Sequence, residues 1–424
     1  MRVTYQNILF ILLIIMLASI ILLTNGFTTI NVFGRQTTPY VFSTILYLTC
    51  AAFLFKKWMK LKPLTLILII SYFGVGIGGL LSMLILDHYG LIVNSRTVFN
   101  NLIRDLLFGP VLLLFLIQHL KIYMLKEIYM RMWVIMTAIV ISIALFQILA
   151  ISGISPFEEL FLWENIRDYG TRIASTFRWQ GPFVLFLGIS IPIIISFLIT
   201  AKNISGSILY GLIYYGGIVG ILYSGSRTAF FMLPLSSIPI IIGAANKAFK
   251  NLFVIIATTF MAIITLLYWH TVAPSGNLAH APARSLKVSS ITDNIRFRIV
   301  EKGLELWAES PLFGIGAQQL QERIGIAPHN SYLEILVERG IITAIPFMLF
   351  LACILFLCKE LIQYKQEYSQ WLLRVAVAIG FMNFFIYNFS ASAINYNYMV
   401  PFLAMGLSYY EDLGKHSAIL NSDP

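Results

Sequence analysis

Charge is what this sequence lacks most. Only 11% of its 424 residues are Asp, Glu, Lys or Arg, against 58% hydrophobic residues and a mean hydropathy of +0.83. A water-soluble chain of that length cannot hide so much apolar surface and stay dispersed, so soluble and disordered classes are excluded and lipid is the natural solvent. Cysteine is nearly absent too. Cys50, Cys353 and Cys358 fall inside or at the end of apolar runs with no His or Cys pair beside them. That excludes a disulfide framework and a cysteine-based metal site, and leaves them as small core hydrophobes. Acidic clusters of metal-binding spacing, internal repeats and nucleic-acid motifs are also missing by eye.

What the sequence has instead is apolar runs of roughly 18 residues or more, the length that crosses a ~30 Å hydrocarbon core as a helix. They fall near 7–25, 39–55, 63–86, 102–119, 132–152, 181–200, 207–223, 229–246, 251–269, 340–358, 371–388 and 396–410. The last is the weakest, because Asn395 and Asn397 interrupt its start. The first follows a short lead with one arginine and is not followed by a small-residue cleavage site, so it reads as a retained helix. The expected fold is all-α: a polytopic membrane protein of about twelve helices with a large helical outer loop. Residues 1–269 hold the first nine spans and a medium outer loop at 152–180, residues 270–339 the large loop, and residues 340–424 the last three spans and a tail.

The two kinds of cation separate across this topology. With Met1 in the cytoplasm, twelve of fourteen lysines fall in inside loops, and only Lys287 and Lys302 lie outside. Lysine therefore follows the positive-inside rule. Arginine runs against it: Arg35, Arg96, Arg172, Arg178, Arg227, Arg296, Arg298, Arg323 and Arg339 are among those at or near the outer face. Placing arginine there against the insertion preference points to bidentate recognition of phosphate or carboxylate, although any single one can pair with outer acids such as Glu158 or Asp293. The net charge of +10 is spread over both faces, so no nucleic-acid partner is expected.

Three outer segments could carry chemistry. Pro328 suits a first helical turn, and His329, Leu333, Leu336, Gly340 and Thr343 step by four and three, so the pattern predicts one helical face running unbroken into the span. A helix start disfavours imidazolium and would keep His329 neutral, able to take a proton; the plainer reading is a cap or surface histidine. Gly340 and Thr343 are small enough to admit a neighbouring helix. Second, Ser224-Gly225-Ser226-Arg227 is a very short turn between two runs, so Arg227 is preorganised for an anion or else snorkels at the interface. Third, a helix from an Asp293 cap to Pro311 puts Arg296 in its first turn, with Ile299, Val300, Leu304 and Trp307 toward lipid or protein. Gly314-Ile315-Gly316 reads as a tight turn. Arg172 and Arg178, just before a span, are weaker candidates, either for substrate docking or for simply setting topology.

Taken together, these segments resemble the O-antigen ligase and polymerase superfamily of bacterial envelope proteins. The His329-Asn330 pair with Gly340 and Thr343, the turn Gly225-Ser226-Arg227-Thr228-Ala229, and the stretch from Arg296 to Gly316 carry the resemblance, which spans the segment from Gly225 to Thr343. It implies a multi-pass protein of the bacterial inner membrane with its site facing the periplasm. The implied reaction is glycosyl transfer from an undecaprenyl-diphosphate-linked glycan to lipid A–core, with no cofactor, nucleotide or metal, and inversion is the expected stereochemistry. By the same resemblance His329 would be the general base and Arg227 and Arg296 the diphosphate ligands; Arg172, Arg178 and Asn330 are candidate further substrate contacts that the resemblance does not itself supply. Membrane lipid and a lipid-linked glycan are the expected partners. The alternative is a polymerase that uses a second lipid-linked glycan as acceptor. A transporter or flippase fits least, because the spans hold almost no ionisable residues apart from Arg104 and Arg374 near their ends.

Overall fold

A computed structural model of the protein describes residues 5–22, 30–32, 35–37, 39–54, 59–88, 103–122, 125–151, 173–177, 180–244, 249–272, 295–316, 319–326, 328–364, 367–389 and 397–413. Every expected span coincides with a helix. They are α1 (Tyr5–Leu22), α2 (Pro39–Leu54), α3 (Pro63–His88), a π-helical stretch (Ile103–Val111) leading into α4 (Leu112–Ile122), and α5 (Lys126–Ile151). Then follow α6 (Gln180–Thr200), α7 (Ile204–Tyr223), α8 (Arg227–Ala244) and α9 (Phe249–Val272). The loop after α9 adds α10 (Ile295–Glu309) and α11 (Gln319–Ile324), and α12 (Ser331–Gln363), α13 (Tyr368–Asn388) and α14 (Met399–Asp412) complete the chain. A small hairpin, β1 (Ile30–Val32) against β2 (Arg35–Thr37), sits between α1 and α2. Among the described residues six helices, α3, α5, α6, α7, α12 and α13, are long and apolar enough to cross a membrane. The chain is an all-α polytopic membrane protein.

Two compact units divide it. One comprises Met1–Cys50, Glu127–Lys287 and Leu361–Ile386. Its centre is α6, which is buried on nearly all sides from Phe183 to Ile199 and packs against α7 and α8. A proline in mid-helix removes an N–H and orphans the carbonyl four residues earlier, a cost that lipid cannot relieve. Pro192 orphans Gly188, and here the Asn383 amide of α13 donates to the Gly188 carbonyl at 2.7 Å and also to the Ser236 hydroxyl of α8. Gly188 has no side chain for a second reason: a Cβ there would lie 2.3 Å from the Met232 methyl.

The other unit comprises Ala51–Lys126, Val288–Glu360 and Tyr387–Pro424. At the start of α3 a buried carboxylate is fully engaged. Glu411 of α14 accepts from Lys62 N, the Thr65 hydroxyl and Lys121 Nζ at 2.8, 2.6 and 2.7 Å. Such a charge is tolerable in a low-dielectric setting only because it is paired and hydrogen-bonded. The middle of α3 is shaped by glycine. Gly74, Gly78 and Gly79 lie against Pro346, Thr343 and Arg339 of α12, each so close that a Cβ would fall 2.8–2.9 Å from the partner. Thr343 thus does admit a neighbouring helix, as its size suggests.

Candidate active site

The unbroken helix expected from Pro328 through Gly340 is not what forms. Gly340 has φ 70 and ψ −176, which only glycine adopts readily, and it divides α12 into an outer piece, 331–339, and the span proper, 341–363. A break inside a helix strands carbonyls on one side and N–H groups on the other. The loop after α10 satisfies both sets. Ile315 N and Gly316 N donate to the carbonyls of Val337 and Glu338 at 2.9 and 3.0 Å, while Ile341 N and Ile342 N donate to Pro311 and Leu312 at 3.0 and 3.3 Å. The Arg339 carbonyl accepts from the Thr343 hydroxyl at 3.1 Å. This two-sided latch explains both glycines. A Cβ on Gly340 would stand 2.2 Å from the Leu312 carbonyl oxygen, and one on Gly314 2.4 Å from the Glu338 carbonyl carbon. Gly314-Ile315-Gly316 is the tight turn expected, but its long-range role is the latch.

The start of α12 also differs from expectation. The Asn330 side-chain oxygen accepts from Tyr332 N and Leu333 N at 3.0 and 3.1 Å, and its carbonyl accepts from Glu334 N at 2.9 Å. Asn330 is therefore the N-cap, which fixes the helix start at Ser331 and moves His329 off the helix, one residue ahead of the cap. Pro328 lies outside the helix as well. His329 is exposed, with φ 48, in the left-handed region where histidine occurs more often than most side chains but at some strain. Its mount is firm. Tyr332 packs against Phe389 and Phe347, with ring centroids 4.5 and 5.9 Å away, and Leu333 is buried. Replacing Asn330 with alanine should lower stability by about 1 kcal/mol, whereas serine should retain most of the cap; thermal unfolding in detergent reads the difference.

Arg296 comes to the same end as His329. α10 lies beside the outer piece of α12, sharing a core of Ile299, Ile315, Leu320, Leu333 and Val337. Gly303 faces Leu333, where a Cβ would be 3.3 Å from its methyls. Pro311, further along its chain by the same interval that separates Ile341 from Leu333, bonds Ile341. The two helices therefore run parallel, and their starts lie at one end. Arg296 occupies the first turn of α10, and His329 immediately precedes α12. The expected Asp293 cap lies outside the described residues. Of the residues expected to face lipid or protein, Ile299 is buried, Trp307 is half-buried, and Val300 and Leu304 are exposed.

Arg227 lies in the first unit. Gly225 takes φ 65, and the Ser224 hydroxyl donates to Ile221 O at 2.6 Å, which closes the turn tightly enough to make Arg227 the first residue of α8. Arg172 and Arg178 lie outside the described residues. The segment between them is described: residues 173–177 are buried, and the Gln147 amide holds them, accepting from Ser175 N at 2.8 Å and donating to Ser175 O at 3.0 Å.

Two residues at the break had no role in the sequence reading beyond the place of Arg339 among the outer arginines. Arg339 is buried beside Gly79, and the Glu338 carboxylate accepts from Leu320 N at 3.3 Å. An adjacent acid and base leading into a long apolar run was the available signal. Among the described residues, no His, Cys, Asp and Glu side chains group in a way that could hold a metal ion.

A family model described as O-Antigen ligase matches residues 212–348, a segment that includes Arg227, Arg296, His329, Asn330 and the latch. No curated protein matches the chain.

Proposed function

We propose, with residues 212–348 placed in the O-antigen ligase superfamily, that the protein is a membrane glycosyltransferase joining an undecaprenyl-diphosphate-linked glycan to a lipid A–core hydroxyl. The match supports an O-antigen ligase or polymerase-type activity on lipid-linked glycans; the ligase assignment, the donor and the mechanism are our reading. In it the protein sits in the bacterial inner membrane and its site faces the periplasm.

An acceptor hydroxyl is a poor nucleophile until a base removes its proton, and His329 is the base. The acceptor oxygen forms the new bond to the anomeric carbon, and the bond from that carbon to the diphosphate breaks with its electron pair going to the phosphate oxygen. Attack from the face opposite the leaving group inverts the centre. The arginines at 227 and 296 hold the developing charge on the leaving diphosphate, which lowers the barrier if they are in place beforehand. Arg172, Arg178 and Asn330 are proposed as docking contacts for the glycan; for Asn330 this adds to its cap.

The observation that supports this most is the placement of an exposed histidine on a rigid, strained mount, at the same end of a helix pair as the first turn of α10. The test is chemical. Purified protein incubated with lipid-linked repeats and lipid A–core should transfer glycan to the core and leave repeats alone unchanged when the core is omitted. Chain growth without the core would overturn the ligase assignment in favour of a polymerase.

A further inference from the structure

α10 has three faces rather than two. One is buried: Ile299, Gly303 and the half-covered Leu306 pack against the outer piece of α12. A second carries Arg298, Glu301, Lys302 and Glu305, all exposed. The third is apolar and exposed as well, with Phe297 62%, Val300 37% and Leu304 44% accessible. Their spacing of three and four puts them in one row along the helix. A loop helix bathed in water needs only the first two faces. A third that exposes a phenylalanine, a valine and a leucine in line calls for a covering surface.

The chain itself shows where that row leads. α10 ends at the latch, where Leu312, 57% exposed, bonds through its carbonyl to Ile342 N in the first turn of the span. The same span exposes Ile345, Met348 and Leu349 at 64, 59 and 47%, side chains that a membrane helix turns to lipid. The helix that carries the uncovered row thus ends at an exposed leucine tied by a hydrogen bond to the first turn of a span whose own exposed side chains are apolar. Trp307, half-buried, donates its indole N–H to Pro311 O at 3.2 Å and presents the amphipathic ring favoured at a membrane interface. Arg298 and Lys302 on the neighbouring charged face suit lipid phosphates.

We propose that α10 is an interfacial helix: its Phe297–Val300–Leu304 row rests in the outer surface of the bilayer beside the span of α12. This is independent of the ligase reading. Single cysteines placed by Val300→Cys and Leu304→Cys, and by Lys302→Cys and Glu305→Cys for comparison, would be labelled with a small fluorophore in the full-length protein in lipid nanodiscs. The unsubstituted chain, with Cys353 and Cys358 buried and Cys50 half-buried, supplies the labelling background. Probes at 300 and 304 should lose more emission to a lipid carrying a shallow spin-label quencher than to iodide in solution, and probes at 302 and 305 should show the reverse order. Iodide quenching at 300 and 304 equal to that at 302 and 305 would mean a water-facing row and overturn the proposal. Protection of 300 and 304 from both quenchers would overturn it too, since protein, either another segment or a second copy, would then cover the row. A labelled variant that fails to fold is replaced by Phe297→Cys on the same row, read in the same way.

Discussion

Replacing His329 with alanine should reduce glycan transfer by about 10²–10⁴-fold, the range a positioned general base contributes. Thermal stability and membrane insertion should hardly change. His329 is exposed, so truncation opens no cavity, and the cap that starts α12 belongs to Asn330. A second substitution separates chemistry from backbone geometry. Asparagine tolerates the left-handed conformation at φ 48 but cannot take the acceptor's proton. His329→Asn should therefore be as inactive as His329→Ala. Transfer by the asparagine variant at close to the native rate would show that this position serves the turn rather than the reaction. The measurement is the initial rate of glycan transfer by purified protein, with unfolding temperature as the control.

Replacing Gly340 with alanine should do more damage to the protein and at least as much to activity. Two costs add. The backbone region near φ 70, ψ −176 is almost closed to a residue with a Cβ, about 1–3 kcal/mol. The new methyl must also displace a carbonyl oxygen 2.2 Å away, an overpacking cost of about 1–3 kcal/mol. Relief of either requires pulling Leu312 off the break, which opens the hydrogen bonds at Ile341 and Ile342. Gly314→Ala attacks the same latch from the loop side, against the Glu338 carbonyl. Because the two variants disrupt one structure, their combined effect on unfolding temperature should be smaller than the sum of the separate effects. Full additivity would mean that the two glycines act independently and that the latch is not a unit.

The spans were legible because lipid imposes a length and a composition that apolar runs display directly. The fifteen residues of α10 were legible too, since Pro311 and the turn after it mark where it stops. The break was not. The stepping of His329, Leu333, Leu336, Gly340 and Thr343 is good helical spacing, and it runs straight through the interruption. A proline is the usual sign of a kink, yet Pro346 stands inside the continuous part of α12 and packs on Gly74. What permits the break is a set of partners well upstream, Pro311 and Leu312 thirty residues before theirs and Ile315 and Gly316 twenty-two before theirs, and no local pattern reveals a hydrogen bond across such intervals. Asn330 was a candidate contact by its place next to His329; that its side chain caps the helix follows from the shift of the helix start by only a few residues, which is finer than periodicity resolves. The first-turn position of Arg296 could be read from its place after Asp293, and the parallel packing of α10 on α12 supplies what that reading could not: which end of the pair that turn occupies.

That parallel packing has an electrical consequence. Each start carries about half a positive charge from its peptide units, and because the helices run parallel neither start is set against the other's negative end. The rim where α10 and α12 begin therefore draws anions through peptide groups that no change of acidity can discharge.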